Sequence, residues 1–179
     1  TYYWRVDEVN DLEEPAVWAS DVQNFSTAAS IVVDDMESYT VNMWETWPDG
    51  YEDPTNGALV GNGWLAEPET ETVHEGSKSM PLTYGDAGIQ NSWTTRIIES
   101  PKDWSQHGVN SLLLYIHGNV DNEGGQLYIT INNTHFDYPG DATDIQTAQW
   151  FPWTIDLSGI TTVDELTIGV LGGSGGKVL

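Results

Sequence analysis

QWFPWTIDL, residues 149–157, puts Phe151, Trp153, Ile155 and Leu157 at every second position. Alternate side chains of a strand point to opposite faces, so these four share one face and Trp150, Pro152 and Thr154 the other. The same period runs through residues 126–132, with Leu127, Ile129 and Ile131 inward and Tyr128 and Thr130 outward. In VHEGSKSMPLTY, a Glu75-Gly76 turn precedes a strand with Met80, Leu82 and Tyr84 on one face. Pro81 assigns that strand to an edge, because proline donates nothing to a ladder. Residues 89–98, 111–117 and 166–171 give further strands. SLLLYIH at 111–117 is apolar on both faces and reads as a central strand. No long amphipathic helix and no internal repeat is visible. Strands separated by turn signals imply an all-β fold, a two-sheet antiparallel β-sandwich.

The chain has 179 residues, with 28 acidic against 5 basic and a formal charge of −23. So few cations cannot neutralise phosphate, which excludes nucleic acid and anionic membrane surfaces as partners. Nine Trp and eight Tyr argue for a packed core despite the charge. The absence of cysteine excludes disulfides, zinc–thiolate sites and a cysteine nucleophile. No apolar run approaches membrane length. A start at Thr1 rather than Met reads as a fragment or processed segment.

At the N-terminus, Tyr2, Trp4 and Val6 alternate with Tyr3, Arg5 and Asp7. A loop with Asn10, Asp11 and Pro15 follows, then a second strand near residues 22–27, so residues 1–28 read as a β-hairpin. Residues 28–30 form a joint. Beyond it stands IVVDDMESY, residues 31–39, where an apolar strand start runs into Asp34, Asp35 and Glu37. In an extended strand Asp35 and Glu37 share a face. Oxygen ligands of this kind suit a hard cation, above all Ca²⁺; the plainer reading of the triplet by itself is a solvated acidic strand end. Residues 42–66 combine turn formers with Trp44, Trp47, Tyr51 and Trp64, the mixture expected of ligand-recognition loops.

TYYWRVDEVN followed by WASDVQNFSTA resembles the last two strands of a fibronectin type III domain. VVDDMESY, VHEGSKSMPLTY, SPKDW…GVNSLLLYIHG, QWFPWTIDLSGI and ELTIGVLGG then occur in the order seen in jelly-roll carbohydrate-binding modules. More closely, they resemble jelly-roll domains that follow fibronectin type III repeats in large secreted bacterial proteins. The resemblance covers roughly residues 31–176 and implies a jelly-roll domain over 31–179 with an extracellular or cell-surface location. It also implies a structural Ca²⁺ held by the Asp35 and Glu37 side chains and the Lys78 carbonyl. Related domains close with a further strand after the Gly-rich turn, whereas this sequence reads GGSGGKVL and stops. That implies an open sheet edge, which Tyr2, Trp4 and Val6 would fill by strand addition within the chain or between copies, unless the end is a fragment boundary cut without regard to domains.

Sugar binding needs exposed aromatic faces with polar groups at the rim. Trp44, Trp47, Tyr51, Trp64, Tyr128, Trp150 and His135 are the candidates, with Tyr128 and Trp150 singled out because alternation turns them away from the core. Trp93, Trp104 and Trp153 read as core, and His74 and His117 as structural. The carboxylates Asp49, Glu52, Asp53, Glu67 and Glu69 form no defined catalytic pair. His74, His107, His117 and His135 lack metalloenzyme spacing, and no serine has a nucleophile-elbow context. The expectation is a non-catalytic extracellular module that binds polysaccharide. The alternative is a cell-surface or filament subunit assembling by β-strand exchange.

Overall fold

A computed structural model describes residues 2–12, 14–25, 30–100, 102–105 and 108–179. Thr27, Ala28, Ala29 and His107 lie outside the described residues. The chain divides into two compact units, Thr1–Ser30 and Ile31–Leu179. No helix among the described residues is long and apolar enough to cross a membrane.

The first unit is a hairpin of four short pieces. β1 (Tyr2–Trp4) pairs antiparallel with β4 (Gln23–Phe25), and β2 (Asp7–Val9) with β3 (Val17–Ala19). Tyr2 faces Phe25 in the register while Asp7 faces Ala19, so one extra residue on the returning strand separates the two pairings. The Ser20 hydroxyl accepts from the Val6 N–H at this bulge. The returning strand thus starts at Val17, earlier than its residue pattern suggested.

The second unit is an all-β, sandwich-like fold with antiparallel sheets. Four strands lie in the order β10 (Thr134–Asp137), β9 (Gln126–Ile131), β12 (Glu165–Leu171), β7 (Asn91–Ile97). β9 turns into β10 through Asn132-Asn133, with Asn132 at φ 51°, the left-handed backbone that a two-residue hairpin turn requires. A second group has β5 (Leu59–Val60), β6 (Leu82–Tyr84) and β13 (Gly176–Val178) side by side. β8 (Ser111–His117) pairs with β11 (Trp150–Asp156). Leu179 and His117 exchange both backbone hydrogen bonds, at 2.9 and 3.0 Å, which links β13 to β8.

Period-two alternation sets which side chains enter the core. Leu127, Ile129 and Ile131 of β9, Leu166, Ile168 and Val170 of β12, and Leu112 and Ile116 of β8 form one buried cluster with Trp153, Ile155 and Leu157. Leu82, Tyr84, Val60 and Val178 close it from the β5–β6–β13 side. Trp104 also lies in this core.

Four expectations change. Residues 31–39 are not a strand but an irregular segment turning at Met36, whose φ is 62°. Pro81 does not mark an edge, because β6 lies between β5 and β13. Residues 111–117 are not apolar-buried on both faces, since Leu113 and Tyr115 stand exposed on the outer face. The Gly-rich end contributes strand β13, where no strand was expected.

Gly169 of β12 sits between Trp93 and Tyr128 in register. A Cβ there would come within 2.5 Å of both the Ser92 carbonyl oxygen and the Tyr128 ring. The glycine therefore lets the tyrosine lie across the sheet. Gly169→Ala is expected to destabilise the fold by about 1–3 kcal/mol, the usual cost of overpacking. Chemical denaturation measures it, and near-UV circular dichroism should report the displaced tyrosine.

Candidate functional site

Local backbone geometry explains the acidic stretch first. Asp34 Oδ1 accepts from the Met36 N–H at 2.9 Å, a turn-forming bond that competes with extended pairing. Its Oδ2 accepts from the Tyr39 hydroxyl at 2.6 Å and the Trp47 indole N–H at 3.0 Å. The same oxygen lies 2.8 Å from Arg96 Nη1, and the Asp34 side chain is only 7% exposed. Arg96 also lies over the Trp47 ring, 5.6 Å from its centroid, and donates to the Tyr39 hydroxyl. Asp34 therefore ties the irregular entry of the unit to the loops ahead of β5 and to strand β7.

Of the three residues implied for a metal, Glu37 and Lys78 come together, through donors within the protein. Glu37 Oε1 accepts from the Ser77 N–H at 2.7 Å and the Lys78 N–H at 3.1 Å, and Oε2 from the Ser77 hydroxyl. These bonds, the Ser77 hydroxyl first, hold its carboxyl below the ordinary glutamate range. Asp35 Oδ1 accepts from the Glu37 N–H at 3.1 Å. Lys78 Nζ donates to the carbonyls of Glu37 and Tyr39. Gly76, at φ 76°, allows the turn to pass beside the Glu37 carboxylate. The Lys78 ammonium is thus held by two backbone carbonyls, while the Glu37 carboxylate is held by Ser77 and the Lys78 N–H. No group of three or more His, Cys, Asp or Glu suited to a metal occurs among the described residues.

The aromatic candidates separate sharply. Trp47 is 1% exposed and belongs to the core, so it is no ligand platform. Its indole N–H finds its partner in Asp34, which the one-residue sequence signal could not reveal. Tyr128 is 8% exposed, a second correction. Alternation does turn it outward, but it lies over Gly169 and under the His135 ring, 5.0 Å away centroid to centroid. Burial raises its hydroxyl pKa. His135 is exposed and bonded to Asp137 at 3.1 Å.

Trp44, Tyr51 and Trp64 remain open, at 46%, 69% and 85% exposure. Hydrogen bonds fix the loops that carry them. Asn42 N–H donates to the Leu65 carbonyl at 2.7 Å and Met43 N–H to the Ala66 carbonyl at 3.2 Å. Buried Met43 anchors the short 3-10 turn Met43–Glu45 that presents Trp44. Asp49 accepts from the Tyr51 N–H at 3.0 Å and the Val60 N–H at 2.8 Å, bracketing the loop before β5. Asn62 and Glu67 pair across the hairpin whose tip carries Trp64. The Tyr51 and Trp64 rings stand 6.1 Å apart at 84°. Glu45, Glu52 and Glu67 are exposed beside these aromatics in the chain.

A second aromatic group lies on the outer face of β8 and β11. Trp150 is half-buried, with its ring 5.4 Å from His74 and 5.1 Å from His117. His74 stacks on Tyr115 at 3.6 Å. Trp93, expected in the core, is half-buried on the outer face opposite Gly169. Sequence reasoning missed Tyr115 because it treated both faces of β8 as core. In the first unit, Tyr2, Trp4 and Val6 are exposed.

Comparison with protein-family models and with curated proteins finds no match.

Because folding lowers the Glu37 pKa, its clamp stabilises the protein above the unfolded value and is lost as pH falls through the folded one. Between about pH 6 and about pH 3, the melting temperature of Glu37→Gln should fall less than that of the native chain. Lys78→Met should lower it at neutral pH, and EDTA should leave the native value unchanged. A drop in EDTA that Ca²⁺ reverses would identify an ion at this turn instead.

Proposed function

We propose that the protein is a non-catalytic, extracellular carbohydrate-binding module with a jelly-roll β-sandwich. One observation carries this reading: Trp64 and Tyr51 form an open pair on hydrogen-bonded loops, at 85% and 69% exposure. Leaving so large an apolar side chain in water forgoes on the order of 2–3 kcal/mol of burial. An indole face binds the C–H groups of a pyranose, while nearby carboxylates accept from its hydroxyls. Trp44, exposed on the turn whose residues 42 and 43 bond to Leu65 and Ala66, is a further candidate contact. Trp150, with Tyr115 beside it, is a weaker platform because His74 already covers a tyrosine face.

Trp64→Ala should weaken binding to a soluble polysaccharide by about tenfold or more, about 1.4 kcal/mol. The substituted side chain is exposed, so stability should stay within about 0.5 kcal/mol. Affinity electrophoresis beside thermal unfolding separates the two effects. Full binding by the variant would remove the platform from the account.

A second reading, a cell-surface or filament subunit assembling by β-strand exchange, draws on the exposed Tyr2, Trp4 and Val6. On that reading, which carries no sugar site, deleting residues 1–10 abolishes polymers in light scattering and electron microscopy. A monomeric native chain would argue against it.

A further inference from the structure

Resting on the glycan reading, we propose that the Tyr51–Trp64 corner selects a neutral, soluble polysaccharide chain that bends at the site. Charge supplies the first argument. Each of the five cations already has a partner within the protein. Arg5 pairs with Asp7, Arg96 with Asp34 and Lys102 with Asp164. Lys78 lies on the carbonyls of Glu37 and Tyr39. Lys177 donates to Asn62 Oδ1 at 3.2 Å, at the base of the Trp64 hairpin, where that bond occupies it. None of them stands ready to pair with a uronate or a sulfate. Glu45, Glu52 and Glu67 give the platform loops exposed negative charge, on a chain of net charge −23. Such a rim repels an anionic chain and accepts hydrogen bonds from uncharged hydroxyls.

Ring geometry supplies the second. A flat glycan ribbon or a crystalline surface needs coplanar aromatic faces in a row. Here the two ring planes meet at 84°, with centroids 6.1 Å apart. A chain that stacks on one ring must turn to meet the other. The hydrogen bonds that fix the two loops oppose flattening: Asp49 holds the Tyr51 N–H and the Asn62–Glu67 pairing holds the Trp64 hairpin.

Affinity electrophoresis of the full chain tests this with a soluble β-1,3-glucan, a soluble α-1,4-glucan and polygalacturonate, alongside a pull-down on microcrystalline cellulose. Retardation by at least one neutral glucan is expected, weakened about tenfold or more by Trp64→Ala. Retention should change little between about 0.02 and about 0.5 M NaCl, because an uncharged ligand has no ionic attraction to screen. Trp64-dependent binding to polygalacturonate or cellulose, without binding to either glucan, would overturn the selectivity and leave the glycan reading standing. Binding to none of the four would overturn both. Tyr51→Ala, read in the same gels, should weaken glucan binding as Trp64→Ala does. An unaffected Tyr51→Ala would refute the corner.

Discussion

A single carboxylate, Asp34, fixes the entry to the larger unit. It is nearly buried and takes bonds from Tyr39, Trp47 and Arg96 with one oxygen and from Met36 with the other. An ionised carboxylate is costly to bury unless its acceptor sites are filled, and here protein donors fill them. The consequence reaches outward. Trp47 is pinned inward, so Met43–Glu45 is held beside it, and Trp44 on that turn faces water. Residues 42 and 43 then hold Leu65 and Ala66, next to Trp64. Burying one tryptophan and exposing two others are linked parts of the same arrangement.

Strand faces were legible because a period of two is written directly in residue type. Phe151, Trp153, Ile155 and Leu157 point inward as their spacing indicates, as do Leu127, Ile129 and Ile131. The acidic segment was not legible as irregular backbone. Ile31, Val32 and Val33 favour a strand, and only the Asp34 bond to the Met36 N–H, with the left-handed Met36, turns the chain away. Pro81 misled for a related reason: its carbonyl accepts from Gly61, so the residue joins a ladder without needing an N–H of its own.

The site was half legible. Composition alone marked residues 42–66 as an aromatic loop region, and three of its four aromatic candidates are open to water. Which one is buried depends on a partner 13 positions away, Asp34, that no local pattern announces. Tyr128 shows the limit of alternation. Facing away from the core is not the same as facing solvent when a glycine neighbour lets the ring lie down on the sheet. The resemblance implied the Asp35 and Glu37 side chains and the Lys78 carbonyl as one group; of these the structure joins Glu37 to Lys78, through amide and ammonium donors, with the Ser77 hydroxyl and N–H beside them.

A rigid loop platform on a sheet scaffold is how binding proteins combine an exposed apolar surface with a defined geometry. The most direct test is to follow the indole N–H resonances of the nine tryptophans by NMR while titrating a soluble neutral glucan. The account predicts that the Trp64 signal moves, with Trp44 following, while Trp47, bonded to Asp34, stays in place. Movement of Trp150 alone, or of no tryptophan at all, would contradict it.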